Sequence, residues 1–222
     1  MNTNPGVIGR KLGMTQLVAE DGTVTPCTVV EARAFVVGKR TQDKDGYDAL
    51  IIGFGDRKEK HTTKPVAGFF KKNGVDAKKH VKELRCSAEH AAKFELGAEV
   101  KLDEIFSEGQ FVDVQSTSRG RGFSGVMRRH NFKGAVNSHG AHEYKRHGGS
   151  IGSNMTPGRV FKGKKMPGQC GNKTVSVLNQ KVAKVLAEDG LVLIRGGIPG
   201  ARGSMVTVRG AVKKKNGGVP QA

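Results

Sequence analysis

Short runs of β-branched and other apolar residues, broken by turn residues, fill the chain from residue 6 to residue 55: GVIGRKLGMTQLV, TVTPCTVVEA, FVVGKRT and YDALIIGFG. Apolar residues at roughly period two fit a pleated surface and not a helix, so each run is read as a strand. Glu20-Asp21-Gly22 between the first two runs predicts a hairpin turn, because Asp-Gly supplies the positive φ angles that a tight hairpin needs. The tetrapeptide Ala-Glu-Asp-Gly returns at residues 187–190, between VSVLNQKVAKVL and LVLIRGG. Its flanks do not match those of the first copy, so this is repeated turn chemistry and not a duplication. A second set of strands is expected over 174–198 and 205–212, and FVDVQST reads as one more. The economical arrangement is a single barrel closed by amino- and carboxy-terminal strands, since closure removes exposed edges.

Residues 64–96 have a different texture. Pro65 is placed to open a short helix through Phe70, and Ser87 to cap AEHAAKFEL before Gly97, which predicts a small helical insertion. Its Lys71, Lys72, Lys78 and Lys79 form either a solvated helix face or a set of RNA contacts. After FVDVQST, periodicity disappears for more than fifty residues. Structureless stretches of that length are uncommon inside compact domains. This one keeps Phe123, Val126, Met127, Phe132, Tyr144, Ile151, Val160, Phe161 and Met166, too many bulky apolar side chains for a plain linker. The expected organisation is a β-barrel body over 1–116 and 174–213, an extended arm over 117–173 that becomes ordered against a partner, and a flexible basic tail over 214–222.

Charge turns that division into a functional expectation. The 222 residues carry a net charge of +18, with 18 Lys/Arg against 17 Asp/Glu up to residue 116, 12 against 1 in 117–173, and 8 against 2 thereafter. A basic excess confined to one stretch is a localised field whose natural counterpart is an array of phosphates. With Glu143 as its one acid, the stretch repels itself unless a polyanion neutralises it. No run approaches the roughly 20 apolar residues of a membrane span, and MNTNPG lacks the apolar core of a secretory signal. An intracellular site of action without a membrane partner is therefore expected. Cys27, Cys86 and Cys170 are odd in number and form no CxxC pair, so they are read as reduced thiols, two of them packed, and not as a disulfide framework or a zinc site.

Several near-motifs lead nowhere. Gly120-Arg121-Gly122-Phe123-Ser124-Gly125 fits GxGxxG with Glu143 downstream, but no amphipathic crossover helix or further βα alternation follows. Gly158 to Lys165 nearly matches a phosphate-binding loop, yet Lys165 stands where a Ser or Thr must hold magnesium, and no hydrophobic strand precedes it. His130, His139, His142 and His147 have no metal-site spacing and no carboxylate but Glu143. No nucleophile or carboxylate pair forms a recognisable catalytic set. The expectation is a non-enzyme without metal, cofactor or small-molecule substrate.

What remains is TSRGRGFSGVMRRHNFKG followed by HGGSIGSNMTPGRVFKGKKMPGQCGN. Glycines let the backbone approach RNA closely, cations neutralise phosphates, and Phe, Tyr and His offer faces on which unpaired bases stack. The RNA-binding candidates are Arg119, Arg121, Arg128, Arg129, His130, Lys133, Arg146, Arg159, Lys162, Lys164 and Lys165. The alternative from another class is a DNA-binding architectural protein, which shares the charge and differs in the preferred polymer.

GRKLGMT at 9–15, SRGRGFSG at 118–125 and GSIGSNMTPGRVFKGKKMPGQ at 149–169 closely resemble the bacterial family of the third large-subunit ribosomal protein, and the likeness runs from about residue 6 to 213. The resemblance implies a mainly β protein: a closed six-stranded β-barrel of the translation-factor kind, with a long basic loop threading into ribosomal RNA. It implies a cytoplasmic, ribosomal location, with large-subunit rRNA and neighbouring large-subunit proteins as partners, early binding in assembly, and no catalysis. By the same likeness, the loop tip near the peptidyl transferase centre is Gly149, Ser150, Ile151, Gly152, Ser153, Asn154, Met155, Thr156 and Pro157. Some members carry a methylated glutamine at the position of Met155; methionine has no amide to modify, so that mark is expected to be absent.

Overall fold

The computed structural model describes residues 3–214; of the tail expected over 214–222, only Lys214 falls among them. The chain order is β1 (Gly6–Val18), β2 (Val24–Glu31), β3 (Ala34–Arg40), α1 (Gln42–Asp45), β4 (Ala49–Asp56), α2 (Lys64–Lys72), β5 (Lys78–Arg85), α3 (Ala88–Lys93) and β6 (Phe111–Thr117). It continues with β7 (Phe123–Ser124), α4 (Val126–His130), β8 (Gly168–Gln169), β9 (Thr174–Leu186), β10 (Leu191–Arg195) and β11 (Met205–Gly210). Two compact units result: Ser118–Lys173, and the remainder of the chain on either side of it.

In the larger unit six antiparallel strands close a barrel in the order β1-β11-β6-β9-β10-β2. Gly6 to Arg10 pair with Arg209 to Met205, so the amino- and carboxy-terminal strands do close it, as expected. Both Ala-Glu-Asp-Gly segments are turns of the same design. The Gly22 amide donates to Ala19 and the Gly190 amide to Ala187, with φ of 78° and 68° at the two glycines. The alternation of β6 turns Val112 and Val114 inward, where they meet Val7, Val30, Val182, Val192, Ile194, Val206 and Val208, all at most 1% exposed. The β-branched content that marked the strands is thus also what fills the barrel.

GRKLGMT is a closure device in this fold. A side chain at Gly9 would strike the Glu31 carbonyl on β2, and the register slips between Lys11 and Gly13. Lys11 turns its stem inside and donates from Nζ to the carbonyls of Ile198, at 2.8 Å, and Gly200, at 3.3 Å.

The structure differs from the sequence reading in two places. FVVGKRT and YDALIIGFG lie outside the barrel, as β3 and β4 of a separate three-stranded sheet, β3-β4-β5. The period-two signal specifies a strand and a face but not the sheet it joins. The helical insertion is real at α2, with Pro65 in its first turn, and at α3, where Ser87 Oγ accepts from the His90 amide at 3.4 Å. Between them, however, KKHVKELR forms β5, paired along β4 from Ala49↔Arg85 to Asp56↔Lys78. Lys78 therefore lies on no solvated face: it is buried, donates to Asp56 at 2.8 Å and sits 3.9 Å above the Phe35 ring.

Residues 97–110 have no regular secondary structure, yet they supply Val100, Leu102, Ile105 and Phe106, each no more than 3% exposed, to the main core. Burying a side chain the size of Ile or Phe contributes about 1.5–3 kcal/mol. Cys27 and Cys86 are buried free thiols whose pKa burial pushes up, and Cys170 is a half-buried free thiol.

Candidate nucleic-acid interface

The Ser118–Lys173 unit begins and ends as a stem. The Ser118 amide donates to the Lys173 carbonyl at 2.8 Å, Arg121 to Cys170 at 2.8 Å and Cys170 to Gly122 at 2.9 Å, and Phe123-Ser124 pairs with Gln169-Gly168. Glycine is obligatory in this stem at Gly171. Its φ is 73°, and a Cβ there would fall on the Arg119 carbonyl oxygen. Beyond the stem, Val126–His130 forms one helical turn, ended by Asn131 in the left-handed conformation at φ 60°. Arg129 Nη1 donates to the Met166 carbonyl at 2.7 Å, and the His130 ring nitrogen lies 3.1 Å from the same oxygen, so this turn fastens the returning chain. Gly134 brings another two backbones together: Ala135 donates to Lys145 at 3.0 Å, and a Cβ on Gly134 would meet that same carbonyl.

This architecture has almost no core. Among its described residues only Ser124, Val126 and Ala141 are buried. Backbone hydrogen bonds, glycine turns and one arginine hold it, while its large apolar groups face outward: Phe123 is 79% exposed, Met155 86%, Phe161 60% and Tyr144 51%. Phe132, Tyr144 and His147 line a shallow hollow of about 290 Å³ over the Gly148-Gly149 backbone. Flat faces beside a bare backbone suit an unpaired base.

Of the sequence-derived candidates, Arg119, Arg121, Arg128, Lys133, Arg146, Arg159, Lys162, Lys164 and Lys165 are exposed, and Arg129 and His130 are half-buried in the contact with Met166. None of the ion pairs among the described residues lies in this unit; all of them join residues of the barrel unit. Every tip residue from Gly149 to Pro157 is exposed, and Ser150 Oγ donates to the Gly152 carbonyl at 2.9 Å to shape the turn. The candidate set omitted the exposed Lys145 and Lys173, which the charge count of the same stretch already contained. Among the described residues, no group of three or more His, Cys, Asp or Glu side chains is placed to hold a metal ion, and no helix is long and apolar enough to cross a membrane.

Comparison with known proteins gives this interface its context. Residues 70–191 match the family model described as Ribosomal protein L3. The chain is 64% identical over 217 residues to the large ribosomal subunit protein uL3 of Sorangium cellulosum, covering 98% of this chain and 94% of that one. It is 48% identical to uL3 of Leifsonia xyli, covering 95% and 96%, and 47% identical to uL3 of Myxococcus xanthus, covering 94% and 93%. With identity of this extent over nearly the whole chain, the basic unit with its minimal core and the closed barrel that carries its two ends are those of a non-enzymatic structural protein of the ribosome: the chain belongs to the ribosomal protein uL3 family.

Proposed function

We propose that the Ser118–Lys173 unit binds large-subunit rRNA during assembly, in the cytoplasm, and that its tip, Gly149 to Pro157, supports the RNA of the peptidyl transferase region. One observation carries this reading: a unit with three buried residues exposes nine of its ten candidate Lys and Arg side chains and makes no ion pair among the described residues. Such a surface is incomplete without an anionic, base-bearing partner. Met155 offers no side-chain amide, so methylation of the kind implied for some relatives has no acceptor here.

Neighbouring large-subunit proteins are the second class of partner. What supports this is the β1–β2 hairpin. From Leu12 to Val30 it contains no Lys or Arg and two acids, Glu20 and Asp21, in a chain of net charge +18, and it exposes Met14, Val18 and Val24. An acidic, apolar ribbon repels RNA and suits a basic protein surface.

The test is co-sedimentation of the tagged chain through a sucrose gradient at high salt, with competition between large-subunit rRNA and duplex DNA at physiological salt. Retention with the large subunit and preference for rRNA are expected. A chain that stays at the top while ribosomes sediment normally, or that binds duplex DNA as tightly, overturns the reading in favour of a DNA-binding architectural protein.

A further inference from the structure

A second basic feature lies in the barrel unit, on a lysine that is not among the candidates read from the sequence. On β5, Lys82 points toward the outside of the barrel wall, where its Nζ donates to Gln115 Oε1 on β6 at 3.0 Å and to Thr207 Oγ1 on β11 at 2.9 Å. An ammonium has three donors, and these two neutral oxygens use two of them. Lys82 also lines an open pocket of about 240 Å³, whose polar lining includes Thr117, Thr174, Thr207 and His80 beside the apolar Ile8, Val81, Met205 and Val206. No Asp or Glu lines the pocket, and Lys82 forms no ion pair among the described residues.

The surroundings make the charge unfavourable as it stands. Burial lowers the pKa of Lys82, and the positive charge of Arg209 lowers it further. Arg209 is itself fixed nearby, donating to the carbonyls of Asn4 and Arg85. A lysine held in a half-buried place whose lining has no carboxylate creates a positive potential that an oxyanion relieves, and short hydroxyls around the opening are the donors an oxyanion takes.

We propose that this pocket, with Lys82 as its charge and Thr117, Thr174 and Thr207 as its hydroxyl wall, is a phosphate site, filled by a phosphate of the RNA backbone or by free phosphate. It lies outside the Ser118–Lys173 unit and does not rest on the function proposed for that unit.

The full chain is titrated with inorganic phosphate at constant ionic strength against chloride, following thermal unfolding, with Lys82→Met, Lys82→Arg and Thr207→Val alongside the unsubstituted protein. In parallel, binding to large-subunit rRNA is measured from low to physiological salt. Phosphate is expected to raise the unfolding temperature of the unsubstituted chain and of Lys82→Arg, less so that of Thr207→Val, and not that of Lys82→Met. For RNA, Lys82→Met should lower the slope of log K against log salt by about one, the signature of one lost phosphate contact, with Lys82→Arg restoring it. Stabilisation by phosphate with an unchanged RNA slope identifies free phosphate as the occupant, and a lower slope without stabilisation identifies the RNA backbone. If neither changes, Lys82 only ties β5 to the barrel and the proposal falls. If the chain binds no rRNA at all, the function proposed for the basic unit fails, and the phosphate titration still decides this site.

Discussion

Individual residues in the basic unit act through backbone geometry as much as through charge. At Gly171 the φ of 73° and the approach of the Arg119 carbonyl leave no room for a methyl group. Gly171→Ala should therefore break the stem pairing, at a cost of about 1 kcal/mol for the left-handed conformation alone, with the backbone collision added. Amide exchange at Arg121 and Cys170 should quicken while the barrel unfolds at its usual denaturant concentration; unchanged exchange at both amides would show that the stem tolerates the methyl group. The residue types of this unit were fully legible in the sequence, but their division of labour was not. Arg129 and His130 stand among nine exposed candidates yet are spent on Met166, 37 and 36 residues away. Nothing in composition marks a long-range contact of that kind.

Among the elements, α3 carries a pH dependence. His90 is half-buried, 5.1 Å from the Phe94 ring in an edge arrangement, and burial, with help from Lys93, lowers its pKa below 6.5 despite the opposing pull of Glu104. A histidine whose folded pKa is depressed is neutral in both states at high pH. As pH falls below 6.5 the unfolded chain takes up the proton first, and stability is lost down to the folded pKa. His90→Gln should flatten the decline in urea-unfolding free energy between about pH 7.5 and 5.5. An equal decline in the variant would mean that His90 is not the titrating group. The caps of these short helices were readable because they are local in sequence. Strand β5 was not, since KKHVKELR owes its conformation to the β4 backbone beside it and carries charged or polar residues at most positions.

On the scale of the molecule, a unit with a continuous apolar core and a unit with almost none share one chain. The strands that flank the basic unit already pair at its base, Thr117 with Thr174, within the ladder that begins at Phe111↔Lys181. Replacing residues 118–173 by a two-residue Gly-containing hairpin turn should therefore leave the barrel folded, with its far-UV strand signal and urea midpoint close to those of the full chain. Co-sedimentation with the large subunit should be lost or strongly weakened. A barrel that unfolds on this replacement would show that the basic unit contributes to the core after all.

The sequence by itself determined what is local or compositional: the strand runs, both Asp-Gly turns, the helix starts at Pro65 and Ser87, the boundary at which charge ceases to be balanced, and the motifs that mark the family. Each of these depends on a residue and its near neighbours, through backbone preference, period or summed charge. Only the tertiary structure decided that β3 and β4 leave the barrel for a second sheet, that the irregular segment holding Ile105 and Phe106 fills the main core, and that Lys82 reaches Gln115 and Thr207 beside an opening without a carboxylate. These are contacts between positions up to 125 residues apart, and no local preference encodes them. They are selected by which surfaces can be buried together and which charges that burial leaves without a partner.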